Sequence, residues 1–252
     1  MTHFLNAFHK RPIGLWALIP LLSLLAAPAA LADDFVCVGL ELGTGPFDNV
    51  IVPSGARCIL RTVMVQGSVE VEPGGRFRAL FGTVIQGNVK IGTDGDSIIF
   101  QSAVGGNVKA KGAAFFRIGS SVVNGDVEIR KSQLRPSLGN PPPIDLFSSG
   151  VADNVIGGNL EVRENDGEIG FFIGSGEFPS GEQSPLDKGS TIGGNVDIED
   201  NGDFMGEGIV IGDNTIGGNL ECEENAFVHP DPENPNTVQG NKEDQCSAGN
   251  GF

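Results

Sequence analysis

Ile156-Gly157-Gly158-Asn159-Leu160-Glu161-Val162 and Ile216-Gly217-Gly218-Asn219-Leu220-Glu221-Cys222 are two copies of one phrase. With its second glycine as a marker, the phrase returns at Gly67, Gly87, Gly106, Gly125, Gly158, Gly194, Gly218 and Gly240, each followed by Asn, Ser or Asp. Successive markers lie 20, 19, 19, 33, 36, 24 and 22 residues apart. A recurring unit of about twenty residues is too small to bury its own apolar face, so such units stack on one another as a solenoid.

The residues after each marker say which solenoid. Val69 and Val71 flank Glu70, Val89 and Ile91 flank Lys90, and the alternation continues through Val108 and Ala110, Val127 and Ile129, Leu160 and Val162, Val196 and Ile198, and Leu220 and Cys222. A period of two means a strand with one face inside and one outside. Short strands repeated every 19 or 20 residues and stacked in parallel make an all-β, single-stranded parallel β-helix. Apolar runs midway between markers, Ser97 to Phe100, Ala114 to Ile118, Phe171 to Ile173 and Ile209 to Ile211, supply further walls. This predicts two or three strands per coil with tight glycine corners. The right-handed form is preferred, because parallel crossovers are overwhelmingly right-handed. A left-handed hexapeptide helix wants coil lengths in multiples of six, which intervals of 19, 20 and 22 do not keep.

The asparagines of the phrase, from Asn88 to Asn241 with Ser68 and Asp126 in the same slot, are expected to stack as a ladder bonded side chain to side chain and to the turn backbone. Asn165, Asn201 and Asn225 predict a second, partial ladder.

Residues 1–32 read as a secretory signal, with Lys10 and Arg11 ahead of an apolar core from Leu15 to Leu25 and Ala30-Leu31-Ala32 as a small-residue cleavage site. The apolar run is shorter than the roughly 20 residues that span a bilayer. Residues 33–62 are assigned to an N-terminal cap and first coil, 63–246 to the repeats and 247–252 to a tail. Pro-rich 132–150 and Gly/Ser/Pro-rich 175–189 interrupt the period and read as loops thrown out from the wall, where binding residues are often carried. At the last marker Lys242 stands where seven earlier coils place Val or Leu, so the stack is expected to end there.

The chain carries 16 basic and 32 acidic residues, a net charge of -16. Removing 1–32 takes away two cations and no acid, leaving -18. Such a charge disfavours nucleic acid and anionic lipid as partners. It also leaves no Trp, no Tyr and one histidine, His229, which disfavours sugar-stacking platforms and a Ser-His-Asp triad. Cys37 and Cys58 lie 21 residues apart and Cys222 and Cys246 lie 24 apart, each about one coil, so two local disulfides, Cys37–Cys58 and Cys222–Cys246, are expected in an oxidising compartment.

From Glu161 onward the outward positions turn acidic, among them Asp197, Glu199, Glu221 and Glu223. A solvated acidic wall is the reading adopted. A calcium site at these four residues is the alternative, since calcium accepts several flexible oxygen ligands. No other cofactor is expected. Regular Thr or Ser columns of the kind an ice-binding face needs are not expected.

The coils Val84-Ile85-Gln86-Gly87-Asn88-Val89 and Val122-Val123-Asn124-Gly125-Asp126-Val127 resemble those of bactofilins, polymer-forming bacterial β-helices, over residues 63–222. The segment from Asn236 to Cys246 resembles the C-termini of secreted bacterial repeat proteins. The resemblance implies a β-helix and a structural role. The expectation is an exported, non-catalytic structural or surface-interaction protein, in the periplasm, at the cell surface or released, with an envelope or extracellular protein or polysaccharide as partner and no membrane span after signal removal. The oligomeric state is left open. The alternative is a polysaccharide-active lyase or hydrolase, with a carboxylate pair drawn from the same four acids, or a calcium-dependent carbohydrate binder.

Overall fold

A computed structural model describes residues 34–39, 46–136, 149–175, 188–247 and 252. The expected signal segment, residues 137–148 and 176–187 of the two insertions, and 248–251 of the tail lie outside the described residues. The chain is an all-β parallel solenoid with three strands per coil, illustrated by Val69–Val71, Arg76–Leu80 and Val84–Ile85. The first wall stacks ten strands from Phe35–Val36 to Lys242–Asp244, the second eight from Arg57–Arg61 to Val228–Pro230, and the third eight from Met64–Val65 to Thr237–Val238. Every wall pairing is parallel and joins a strand to its equivalent one coil on, as in Val69↔Val89 and Val89↔Val108.

This register carries the core. Val69, Val89, Val108, Val127, Leu160, Val196 and Leu220 form one buried column, and the residues two further along form another. The second wall adds Phe77, Phe116 and Phe171 from its inner face. Its outward residues Ile98, Phe172 and Val210 are buried as well, so this wall is covered on both sides.

The marker glycine has a steric cause. A Cβ at Gly67, Gly106, Gly125, Gly158, Gly194, Gly218 or Gly240 would come within 3.0 Å of the side-chain oxygen of the Asn or Asp one coil earlier, and at Gly87 of the Ser68 hydroxyl. That oxygen is fixed because it accepts from a backbone N–H in the next coil. Ser68 N–H donates to Asn49, Asn107 to Asn88, Asp126 to Asn107, Asn195 to Asn159 and Asn241 to Asn219, at 2.8 to 3.0 Å. The outer ladder is therefore mainly side chain to backbone, and bonds between its own side chains are the exception, as in Asn159 to Asp126. It also begins one coil earlier than the glycines announce: Asp48-Asn49 occupies the slot, and Val50 pairs with Val69.

Two inner ladders run the other way, each side chain accepting from the preceding coil. Ser132 N–H donates to Asn165, Asn165 to Asn201, Asn201 to Asn225 and Asn225 to Gln245. The carboxamides of Asn165, Asn201 and Asn225 donate in turn to the carbonyls of Ile129, Val162 and Ile198. The second inner ladder, Ser121, Asn154, Ser190, Asn214 and Asn236, gives no glycine signal in the sequence and is equally buried.

These ladders explain a departure from the expected glycine corners. The residues just before the inner ladders are mostly non-glycine with left-handed backbone: Lys131, Glu164, Asp200 and Glu224 at one corner, and Gln101, Ser120, Asp153 and Asp213 at the other. An L-residue there costs about 1–2 kcal/mol, and the buried Asn or Ser that follows offsets the cost by satisfying the corner's backbone groups. Glycine does close three second-wall strands, at Gly119, Gly174 and Gly212.

The ends are stapled as the spacing implied. Cys37–Cys58 and Cys222–Cys246 are disulfides with Cα separations of 5.6 and 5.3 Å. Lys242 is exposed on the last strand and donates to the carbonyl of Phe252, whose ring joins the buried cluster. No described helix is long and apolar enough to cross a membrane.

One expectation fails on the third wall. Its outward column reads Met64, Val84, Ala103, Val122, Val155, Thr191, Thr215, Thr237, in register throughout. It thus ends in a column of three threonines. Intervals of 36, 24 and 22 residues hid the alignment, because the strands stay in register whatever number of residues separates them.

Two substitutions separate the ladders. Asn201→Ala leaves the buried Asn165 N–H and Val162 carbonyl without their partner and is expected to cost about 2–5 kcal/mol in urea unfolding. Asn195→Ala frees an N–H that water can reach, for about 0.5–1.5 kcal/mol. Gly158→Ala, whose methyl would overlap the Asp126 carboxylate, is expected to cost about 1–3 kcal/mol. Gln101→Gly, relieving a φ of 47°, should stabilise by about 0.5–1 kcal/mol.

Candidate functional site

The first wall carries an outward column that is charged over eight coils, Glu70, Lys90, Lys109, Glu128, Glu161, Asp197, Glu221 and Glu243, and beside it a second charged outward column of Lys111, Arg130, Arg163, Glu199 and Glu223. In the regular half the charges pair across coils, Lys90 with Glu70 at 2.9 Å and Lys109 with Glu128 at 2.7 Å. These exposed bridges contribute little stability each, roughly 0–1 kcal/mol.

Further along, Arg163 divides the four acids singled out from the sequence. Its guanidinium meets Glu161 at 2.6 Å, Glu199 at 2.5 Å and the Asp197 carboxylate. Partial burial lowers the Arg163 pKa, but the hydrogen bond and charge of Asp197 and the charges of Glu161 and Glu199 outweigh it, and the net shift is upward. Asp197 and Glu199 are thereby engaged in ion pairs. Arg130 does the same in the preceding coil, between Glu128 and Glu161.

Among the described residues, Glu221 and Glu223 have no such cation. They instead face Asp244: carboxylate oxygens of Glu221, Glu223 and Asp244 all lie within 4.8 Å of one another. Glu221 and Glu223 flank Cys222 and point outward by strand alternation. Asp244 is paired opposite Cys222, and its left-handed backbone, φ 52°, accompanies its place in the group. Cys222, between the two glutamates, is buried and bonded to Cys246. Spacing below twice a calcium–oxygen bond of about 2.4 Å suits one cation held by three carboxylates, with water completing its shell. The Glu221 carboxyl is pushed up by burial first, then by the charges of Asp197, Glu243, Asp244 and Glu223. Asp244 was not among the sequence candidates; only the pairing with Cys222 brings it in.

Two other places hold functional groups. At the turn from the first to the second wall, a cavity of about 440 Å³ is lined by Arg76, Asp94, Asp96, Phe115, Arg135 and Glu168, among others. Arg135 pairs with Asp94 at 3.1 Å, and Asp96 pairs with the buried Arg78 at 2.7 Å. His229, on the second wall, stacks on Phe227 with ring centroids 6.1 Å apart. Desolvation lowers its pKa against the opposing charge of Glu207.

No family model, curated protein or solved structure matches the chain.

The raised Glu221 pKa fixes the direction of the pH effect. The folded chain holds this proton more tightly than the unfolded chain, so the ionised carboxylate weakens the fold at neutral pH. That penalty is lifted as pH falls through the raised folded value toward the ordinary 4.5. In chelator, Glu221→Gln is expected to be more stable than the parent chain at pH 7, the advantage shrinking toward pH 4.5, as read by paired thermal melts. In the parent chain calcium should raise the melting temperature in proportion to ln(1 + [Ca]/Kd) and the variant should lose some of that gain. Melts that ignore calcium at every pH would leave the acidic wall simply solvated.

Proposed function

We propose that the chain is an exported, non-catalytic β-solenoid that serves as a structural or surface-interaction element outside the cytoplasmic membrane. The observation that carries the reading is that the solenoid spends its polar groups on itself. The asparagines and serines bond coil to coil, and Arg130 and Arg163 hold four of the wall's acids in ion pairs. Disulfides staple the first and last coils, and such bonds persist in oxidising compartments. The export signal read in residues 1–32 supports the same compartment. The likeness of the coils to bactofilins supports a structural role. A stiff rod of this kind holds partners at fixed distances along its walls, at about 4.8 Å per coil.

The Glu221, Glu223 and Asp244 cluster favours a second reading, a calcium-dependent carbohydrate binder, in which the cation would bridge the wall to hydroxyl or carboxylate oxygens of a glycan. The polysaccharide lyase or hydrolase has less support, because Asp197 and Glu199 are already engaged by Arg163.

One experiment sorts these. The full chain is expressed with export machinery, its mature N-terminus sequenced, and the product incubated with neutral and acidic polysaccharides with calcium or chelator. A mature chain beginning near Asp33, with no new reducing or unsaturated ends, is expected. Retention that chelator abolishes would favour the binder, and released oligosaccharides would replace the proposal with an enzyme.

A further inference from the structure

Arg57 and Arg76 break the habit of the other arginines. Arg78, Arg130, Arg135 and Arg163 each meet a carboxylate. In a chain with 32 acids to 16 bases, Arg57 and Arg76 meet none among the described residues. They are nevertheless direct partners in register on the first two strands of the second wall, about 4.8 Å apart. Each precedes an inward residue, Cys58 or Phe77, so each faces outward, and both are half-buried. Like charges side by side destabilise a strand pair, and partial burial removes some of the water that would screen them. An oxyanion shared between the two guanidiniums would turn that repulsion into attraction.

The pair stands at one end of the cavity of about 440 Å³. Arg76 lines it, and Arg57 lies one coil beyond. From Arg76 the cavity follows the corner past Asp96, Phe115 and Arg135 to Glu168, four coil steps or about 19 Å. Of its acids, Asp96 is already paired with Arg78 at 2.7 Å and Asp94 with Arg135 at 3.1 Å. The volume falls in the range of small-ligand sites, roughly 300–1,000 Å³.

We infer that this cavity binds a short acidic saccharide, its single carboxylate, phosphate or sulfate held by Arg57 and Arg76 and its hydroxyls donating to Asp94 and Glu168. Guanidinium forks match such oxyanions in shape and charge. The carboxylates further along select the rest of the ligand. A chain charged throughout, such as nucleic acid with one charge per about 1.7 Å, would set anion against Asp94 and Glu168. A hydrocarbon body would bury these acids without hydrogen bonds, whereas sugar hydroxyls supply them. The inference rests on the surface-interaction reading and gives it a ligand class. Its site lies in the early coils, apart from the Glu221 group in the last, and uses no cation.

Calorimetric titration of the purified full chain, with chelator present throughout, tests this. The probes are galacturonate against its neutral methyl ester, and glucose 6-phosphate and glucose 6-sulfate against glucose. At least one acidic probe is expected to bind at least tenfold more tightly than its neutral match, and to weaken between about 0.05 and about 0.5 M salt. Which probe binds identifies the oxyanion. Arg76→Gln and Arg57→Gln should each weaken binding at least tenfold, while their melting temperatures without ligand stay level or rise because the like-charge contact is gone. Lys90→Gln on the first wall should leave binding unchanged. The inference is overturned if no acidic probe outbinds its neutral match, or if binding survives both arginine substitutions. It is equally overturned if acetate, inorganic phosphate or sulfate binds as tightly as the corresponding sugar, which would mark an adventitious ion only. None of these failures touches the exported scaffold, which the mature N-terminus and the absence of released ends decide, and calcium-dependent retention is silenced here by chelator.

Discussion

The hydrogen bond from a backbone N–H in one coil to the Asn, Ser or Asp oxygen of the coil before it sets the terms for everything else. It fixes the position of that oxygen at the coil edge, and a fixed oxygen there leaves no room for a Cβ on the residue stacked over it. Glycine at the marker and asparagine beside it are two halves of one contact made between coils. Once this contact holds the register, the apolar alternation of the strands falls into continuous columns, and the core follows. A one-residue slip would expose every column and leave every ladder group unpaired, so the register is held by both terms together.

The two inner ladders solve a different problem. A coil of about twenty residues must turn three times, and two of those corners lie beside the core, where stray N–H and carbonyl groups cannot reach water. Buried carboxamides of Asn165, Asn201 and Asn225 each accept from a backbone N–H and donate to a backbone carbonyl of the preceding coil, which satisfies the corner without glycine. This lets residues as unlike as Lys131 and Glu224 occupy left-handed backbone. Their own side chains remain available for the outer surface, where Lys131 bridges Glu164 at 3.0 Å.

The walls then differ by what they do not need for folding. The second is buried on both faces. The first is charged in nearly every coil and moves from balanced pairs to an uncompensated carboxylate group as arginines run out after Arg163. The third is neutral. A rigid rod with one acidic, one covered and one neutral side presents distinct chemistry in fixed directions, which is the property expected of a scaffold and one that a flexible chain cannot supply.

Composition and spacing were enough to identify a parallel β-helix, its two disulfides, the buried columns and the pairing of Glu70 with Lys90, because each follows from contacts between equivalent positions one period apart. They were not enough once insertions changed the period. The threonine column and the Ser121 to Asn236 ladder escape a search for evenly spaced glycines, since strands stay in register whatever number of residues separates them, and the slot at Asn49 escapes it because Asp48 stands in the place of the glycine. The candidate site was half legible for the same reason. Glu221 and Glu223 follow from strand alternation, whereas the removal of Asp197 and Glu199 by Arg163 and the arrival of Asp244 depend on which residues the stacked strands set side by side. Periodicity in one dimension decides what repeats; the lateral register of the folded coils decides which charges meet.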